Sequence, residues 1–313
     1  MSAAALLLLG INNCYALSAQ EQQFVTQMVK KHQFDPTQLS RQLQKAKHRP
    51  SIVKAMNRPA EAMPWYKYRK IFLQPERIQA GKKFMRKHQK ELKKAQQTYG
   101  VPAHIITAII GVETFYGNNI GSYAVMDALK TLAFGYPKRS KFFRSELEEY
   151  LLMAREEGLK PLAPKGSYAG AMGIPQFMPS SFREYAVDFD ADGKRDLWNS
   201  PADVIGSVGN YFARHGWKPG QAVAFKLERR PPGLPLGKKR GQKPNVSISK
   251  ISKSGASLPA EVRALERAAI LKYQQKNRED YWLGLHNFYV ITRYNHSNLY
   301  AMAVYQLAQA ILK

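Results

Sequence analysis

Residues 101–116, Val-Pro-Ala-His-Ile-Ile-Thr-Ala-Ile-Ile-Gly-Val-Glu-Thr-Phe-Tyr, carry the strongest helical signal in this chain. Pro102 suits a first turn, where its missing N–H is harmless, and Gly117 can end the helix. Ile105, Ile106, Ile109, Ile110 and Val112 give the helix an apolar face, which other elements must cover. One acidic residue interrupts that face. Glu113 lies three residues after Ile110, four after Ile109 and seven after Ile106, so it shares their side of the helix. A carboxylate held there is partly desolvated and its pKa rises, which makes a proton donor near neutral pH. A buried glutamate salt-bridged to one of the many arginines fits the same position, and position alone leaves both readings open.

The rest of the chain predicts a mainly α (α+β) fold in several packed units. Helices are expected over 20–32, 37–47 and 75–99, with breaks near Pro50 and Pro64. Further helices are expected over 139–157, where Glu148 can pair with Arg144 at i,i+4 spacing, and over 201–215. Glu146, Glu148 and Glu149 read as surface on that charged helix, whereas Asp127 could be buried. Prolines and glycines break the pattern at 161–180. Residues 218–282 differ in kind: they hold β-prone pieces at 222–227 and 245–251 and basic turns, and read as a small β- or loop-rich insert. Residues 283–313 close the chain with an apolar helix from Tyr300 to Leu312. The units are therefore 1–19, a basic helical domain at 20–100, a core at 101–217, the insert, and a terminal segment at 283–313.

Charge narrows the partners. The 313 residues include 48 Lys+Arg against 23 Asp+Glu, a net charge of +25, which implies an anionic partner. No nucleic-acid-binding motif accompanies it. The run Lys82-Lys83-Phe84-Met85-Arg86-Lys87 reads as a solvated helix face. A single cysteine, Cys14, excludes an intramolecular disulfide. Residues 3–11 form a short apolar run, followed by small residues at Ala16, Ser18 and Ala19. This pattern predicts a signal peptide cleaved near residue 19, with a buried N-terminal helix as the alternative. Asn12, Asn13 and Tyr15 suit lipidation of Cys14 poorly, so export to the periplasm without an anchor is expected.

Two segments carry the decisive resemblance: Gly111-Val112-Glu113-Thr114-Phe115-Tyr116-Gly117, and Lys165-Gly166-Ser167-Tyr168-Ala169-Gly170-Ala171-Met172-Gly173-Ile174-Pro175-Gln176-Phe177-Met178-Pro179-Ser180-Ser181. Together they resemble the lytic murein transglycosylase B family, with its goose-lysozyme-like core. Weaker matches are Trp65-Tyr66-Lys67-Tyr68-Arg69, Asn210-Tyr211-Phe212, and the stretch from Phe288 to Ser297. The resemblance implies a lysozyme-like helical core with Glu113 as the catalytic acid. It also implies a sugar cleft touched by Tyr68, Ser167, Gln176, Phe177, Tyr211, Tyr294, Asn295 and Tyr300. Tyrosines suit that task because sugar C–H faces pack on aromatic rings. Most glycosidases need two carboxylates, yet only one well-placed candidate is legible. A single acid suits a substrate that supplies its own nucleophile, and the resemblance implies a water-free cleavage that leaves 1,6-anhydromuramoyl ends. A lysozyme-type hydrolase and a non-catalytic peptidoglycan-binding protein are the competing readings. The expected partner is the peptidoglycan glycan strand, met by a monomer that can join wall-synthesis or lysis machinery.

The segment Asp188-Phe189-Asp190-Ala191-Asp192-Gly193-Lys194-Arg195-Asp196 fits the first half of an EF-hand loop. Carboxylates stand at positions 1, 3, 5 and 9, with glycine at 6 and the Lys194 carbonyl at 7. Position 12 is Asn199 rather than glutamate, and Asp203 resembles the family's replacement carboxylate. Asp188, Asp190, Asp192, Lys194, Asp196 and Asp203 are thus expected to hold a structural Ca²⁺, with no organic cofactor.

Overall fold

A computed structural model of the chain describes residues 16–57, 63–238 and 240–313. The apolar run at 3–11 and Cys14 lie outside the described residues, so the expected signal peptide does too. Among the described residues no helix is long and apolar enough to cross a membrane.

The N-terminal half is a series of helices: α1 (Ala19–His32), α2 (Pro36–Lys45), α3 (Pro50–Met56), α4 (Trp65–Phe72), α5 (Pro75–Lys87), α6 (Gln89–Tyr99) and α7 (Ala103–Thr114). Proline acts here as a starter. Pro36, Pro50 and Pro75 open α2, α3 and α5, and Pro64 is the N-cap of α4; at those positions proline's missing N–H has no intrahelical acceptor to lose. The breaks expected at Pro50 and Pro64 are therefore helix beginnings. The single helix expected over 75–99 is two, interrupted at His88.

Helix α7 is the centre of the molecule. Every residue from Ile105 to Val112 is buried, so the apolar character runs round the helix and not along one face alone. Helices α5, α6, α11 (Pro201–Arg214) and α15 (Asn298–Leu312) pack against it. Between them run α8 (Val125–Gly135), α9 (Ser140–Glu156) and α10 (Pro179–Tyr185). A two-residue ladder pairs β1 (Tyr123–Ala124) with β2 (Lys165–Gly166) and pins the 161–180 loop to the start of α8.

The insert is a four-stranded antiparallel sheet in the order β3-β6-β5-β4, formed by Ala224–Leu227, Glu279–Gly284, Arg267–Gln274 and Val246–Ser247. Strand β5 serves two cores. Ala269, Leu271 and Tyr273 belong to the main core, whereas Ala268 and Ile270 belong to a smaller core with Leu227, Ile251 and Leu283. The two-residue alternation of a strand puts these sets on opposite faces, so the insert is fused to the body. The strand expected at 245–251 is a strand only at Val246–Ser247; Ile248–Lys253 turns into α12. Ile248 and Ile251, both buried in the smaller core, are three residues apart, which is a helical and not a strand spacing. A short α13 (Ala260–Arg263) follows, and α14 (His286–Tyr294) leads into α15.

Candidate active site

Glu113 stands in the last turn of α7, and the backbone just beyond it is strained. Phe115 (φ 52°), Tyr116 (φ 60°) and Gly117 (φ 91°) follow one another in the left-handed region. Each non-glycine residue there costs on the order of 1 kcal/mol or more, so the surroundings must hold the turn. They do so with specific bonds. The Thr114 hydroxyl donates to the Ile174 carbonyl at 2.9 Å and accepts from the Gly117 N–H at 3.1 Å. The Tyr116 hydroxyl donates to the Arg77 carbonyl at 3.1 Å, and the Arg77 guanidinium donates to the Gly111 carbonyl at 2.5 Å. A Cβ added to Gly111 would run into the Tyr116 ring, which is why that position in the helix takes no side chain.

This framework leaves Glu113 almost surrounded by protein, with a partly accessible edge. Burial raises its pKa to about 7, against the opposing effect of one hydrogen bond. That bond comes from the Tyr300 hydroxyl, which donates to the carboxylate at 2.5 Å. Among the described residues no ion pair includes Glu113, so the arginine partner is not formed. A carboxyl group raised this far can keep its proton near neutral pH, where an ordinary glutamate is ionised.

Of the other expected cleft residues, Tyr300, Tyr294, Tyr211 and Phe177 form one aromatic cluster beside it. Tyr300 and Tyr294 have nearly parallel rings at 6.5 Å, and Tyr294 packs in turn on Tyr211 at 4.8 Å. Phe177 is buried and packs against both Tyr211 and Tyr294. The hydroxyls are fixed: Tyr294 donates to the Pro175 carbonyl at 2.5 Å and Tyr211 to the Arg293 carbonyl at 2.7 Å. Burial, then the charge of Glu113, pushes the Tyr300 phenol well above its ordinary range, so it stays a neutral donor. Tyr68 lies between Trp65 and Phe72 on α4, and Trp65 rests on Tyr273 of the insert at 5.3 Å. Strand β5 thereby supports the helix that carries Tyr68.

Ser167 and Gln176 organise the loop. The Ser167 hydroxyl accepts from the Ala171 and Ala169 N–H groups at 3.0 and 3.3 Å. Gln176, itself at φ 53°, donates to the Gly173 and Ile120 carbonyls at 2.9 and 3.1 Å. Asn295 is exposed on the wall of a groove of about 970 Å³ that Tyr211 and Tyr294 also line. Glu113 does not line this groove; Tyr294 connects the two through Tyr300.

The acidic loop behaves differently. Oxygens of Asp188, Asp190 and Asp203 all lie within 4.8 Å of one another. Asp203 is buried and accepts from the Phe189 and Asp196 N–H groups at 2.7 and 2.8 Å. Burial is the main cause of its raised pKa. Asp192 and Asp196 are turned to local bonds, Asp192 accepting from Lys194 N–H at 2.9 Å and Asp196 from Trp198 and Asn199 N–H at 2.9 Å. The exposed Lys194 lies within the same turn.

Comparison with known proteins gives the family and the fold. Residues 16–309 match the family described as the transglycosylase SLT domain. Over 307 residues the chain is 45% identical to the membrane-bound lytic murein transglycosylase B of Escherichia coli K12, covering 95% of this chain and 84% of that one. The chain belongs to the lytic transglycosylase B family. Two solved members share its fold. The soluble lytic transglycosylase SltB1 of Pseudomonas aeruginosa is 46% identical with a TM-score of 0.88, covering 93% of this chain and 98% of that one. An Escherichia coli lytic transglycosylase solved in complex with calcium is also 46% identical, with a TM-score of 0.87 and coverage of 94% and 93%.

In this lytic transglycosylase B chain several groove residues escaped the sequence reading. His215 stacks on Tyr211 with ring centroids at 4.0 Å, and Tyr185 packs edge-on against Tyr211 at 4.9 Å and against His215 at 5.0 Å. The i,i+4 spacing of Tyr211 and His215 on α11 was a usable signal; Tyr185, on another helix, gave none. The acidic residues of α9 are also corrected. Glu146 is only 4% exposed and accepts from the Ser180 N–H and hydroxyl at 3.0 and 2.7 Å, capping α10. Glu148 pairs with Lys31 and His32 of α1 at 2.6 and 2.7 Å instead of with Arg144, and Glu149 pairs with Arg183. Asp127 is buried and accepts from the Lys47 N–H and the Arg49 side chain at 2.8 and 3.1 Å.

Proposed function

We propose that this chain is a peptidoglycan lytic transglycosylase that cleaves the bond between N-acetylmuramic acid and N-acetylglucosamine with Glu113 as its one acid and base. The observation that carries this reading is a lone, desolvated carboxyl group with a pKa of about 7. Among the described residues the other buried carboxylates are engaged elsewhere: Glu21 with Ser18 and Lys130, Asp127 with Lys47 and Arg49, Glu146 with Ser180, Asp203 with backbone N–H groups. None is free to serve as a nucleophile or to activate water, as a two-carboxylate glycosidase requires.

Protonated Glu113 donates its proton to the glycosidic oxygen as that bond breaks. The resulting carboxylate then accepts the proton of the muramoyl C6 hydroxyl, whose oxygen closes on the anomeric carbon. Glu113 is reprotonated, water is not consumed, and a 1,6-anhydro ring is the product. The nucleophile belongs to the substrate, so proximity replaces a second catalytic group. The Tyr300 bond orients the carboxyl group, and the Tyr68, Tyr211 and Tyr294 rings offer stacking surfaces for the sugar. Ser167 and Gln176 shape the loop that faces it. Mass spectrometry of products from purified sacculi tests the reaction class. Products lighter by one water than the hydrolysis products support it; reducing muramic acid ends make the protein a hydrolase.

The acidic loop fits a hard cation with oxygen ligands. Asp188, Asp190 and Asp203 would hold calcium, which would neutralise their mutual repulsion; Asp192, Asp196 and the Lys194 carbonyl complete the set by local rearrangement. Export to the periplasm without a lipid anchor follows from the N-terminal pattern. Intact-mass analysis of cell fractions tests it, and a diacylated Cys14 in the membrane fraction would defeat it.

A further inference from the structure

The outer face of α5 and α6 is a ridge of positive charge that the chemistry at Glu113 does not use. Leu92 and Ala95 are buried, and Phe84 packs against the main core with the His88 ring at 4.6 Å. The bonds from His88 N–H to the Phe84 carbonyl and from Leu92 N–H to the His88 carbonyl, both 3.0 Å, carry the helical path across the one-residue interruption. The opposite side therefore presents Lys83, Arg86, Lys87, Lys90 and Lys93 in one row, all exposed. At 1.5 Å per residue the row is roughly 15 Å long.

Two further observations set this row apart. Among the described residues none of the five forms an ion pair, whereas Glu148, Glu149, Glu156 and Glu157 each have a cationic partner. Lys94, the next cation, is engaged with the Phe189 carbonyl at 2.6 Å. The row also works against its own helices, because like charges three and four residues apart are destabilising. A helix selected for stability alone would intersperse glutamates, and residues 82–94 contain only Glu91.

We propose that this ridge is a second contact site for the wall polymer, binding the carboxylates of its peptides outside the cleft and holding the enzyme on the sacculus between cleavages. This rests on the functional reading above. A polyanion with flexible, spaced carboxylates matches a row of cationic side chains that form no ion pair among the described residues. An anionic membrane matches less well, because surface-bound helices anchor through exposed apolar residues. Among the described residues the exposed large apolar side chains are Met63, Ile71, Phe142, Tyr168 and Leu312, none of them on this ridge.

The test compares the wild-type chain with a combined variant, Lys83→Gln, Arg86→Gln, Lys87→Gln, Lys90→Gln and Lys93→Gln. A second combined variant changes the four lysines to arginine. Cosedimentation with purified sacculi in the cold at low salt reads retention, and cleavage of a short soluble glycan fragment reads the cleft. Loss of five screened contacts should weaken retention about tenfold, with soluble cleavage unchanged and the arginine variant retained. Wild type should also be released by sacculi whose carboxyls have been amidated. Equal retention of wild type and the glutamine variant, or undiminished binding to amidated sacculi, overturns the proposal. So does a loss seen on phosphatidylglycerol vesicles but not on sacculi, which would make the partner a membrane. A wild-type chain that leaves the soluble fragment intact sinks the functional reading, and retention still decides the ridge.

Discussion

Glu113 and Asp203 are both carboxylates whose pKa is raised by burial, yet their surroundings differ in kind. Glu113 has one hydrogen bond, from a phenol, and no other carboxylate contributes to its shift. Asp203 accepts two backbone N–H bonds and sits with Asp188 and Asp190. An acid isolated in apolar surroundings relieves its desolvation by taking a proton, which it can then give away. Acids crowded together relieve their repulsion with a cation. Burial alone does not distinguish a proton donor from a metal ligand; the neighbours do.

The sharpest way to break this contrast is Glu113→Gln. Glutamine keeps the size and can accept from Tyr300, but carries no transferable proton. Turnover on sacculi should fall by about 10²–10⁴-fold or more, because in the proposed mechanism one group serves both proton transfers. A variant that cleaves at close to the wild-type rate shows that the acid is misassigned.

The acidic loop should respond to a different perturbation. Calcium at about a hundred times its dissociation constant should add about 2.7 kcal/mol of stability, read as a rise in Tm that chelator reverses. Asp203→Asn should abolish that response and leave the pKa of Glu113 in place. Identical melts with calcium and with chelator would show that the loop is only a turn.

Glu113→Gln also predicts a change in the pH dependence of stability. The folded pKa is about 7, above the ordinary 4.5, so the native state binds more protons between those values. Stability of the wild type should therefore fall as pH rises through that window and level off above it. The glutamine variant lacks this slope and should be more stable at pH 8 by on the order of 3 kcal/mol, with no difference near pH 4. Parallel denaturation curves at both pH values would count against a desolvated acid.

The smallest effect concerns Tyr300→Phe. Removing the bond that holds the Glu113 pKa down should move the alkaline limb of the rate profile upward, with a loss in rate of about a few-fold. Ser167→Ala and Gln176→Ala should cost modestly as well, through the loop and not through the proton. An unshifted alkaline limb in Tyr300→Phe would remove the phenol from any part in tuning the acid.

Local order made much of this legible in advance. Isoleucine spacing located α7 and placed Glu113 on it, and the quoted segments supplied family, fold and reaction class. The split of the expected 75–99 helix at His88 is local, but other readings failed because they depended on a partner far away in the chain. Glu146 looked exposed because α9 is charged, but Ser180 buries it. The piece at 245–251 looked β-prone, yet Ile248 and Ile251 face a core built from residues as distant as Leu227 and Leu283. The strand β5 that supports Trp65 went unread because its value lies in serving two cores.

The sequence by itself determined that a carboxylate would stand on an apolar helix in a strongly basic chain, because helical periodicity is written in neighbouring residues. Only the tertiary structure decided that this carboxylate would meet a tyrosine 187 positions away and no arginine. It also decided that Asp188, Asp190 and Asp203 would converge while Asp192 and Asp196 turned to their own backbone. A pKa depends on the solvent excluded and the charges gathered within a few ångströms, and those are set by packing between segments that the sequence keeps apart.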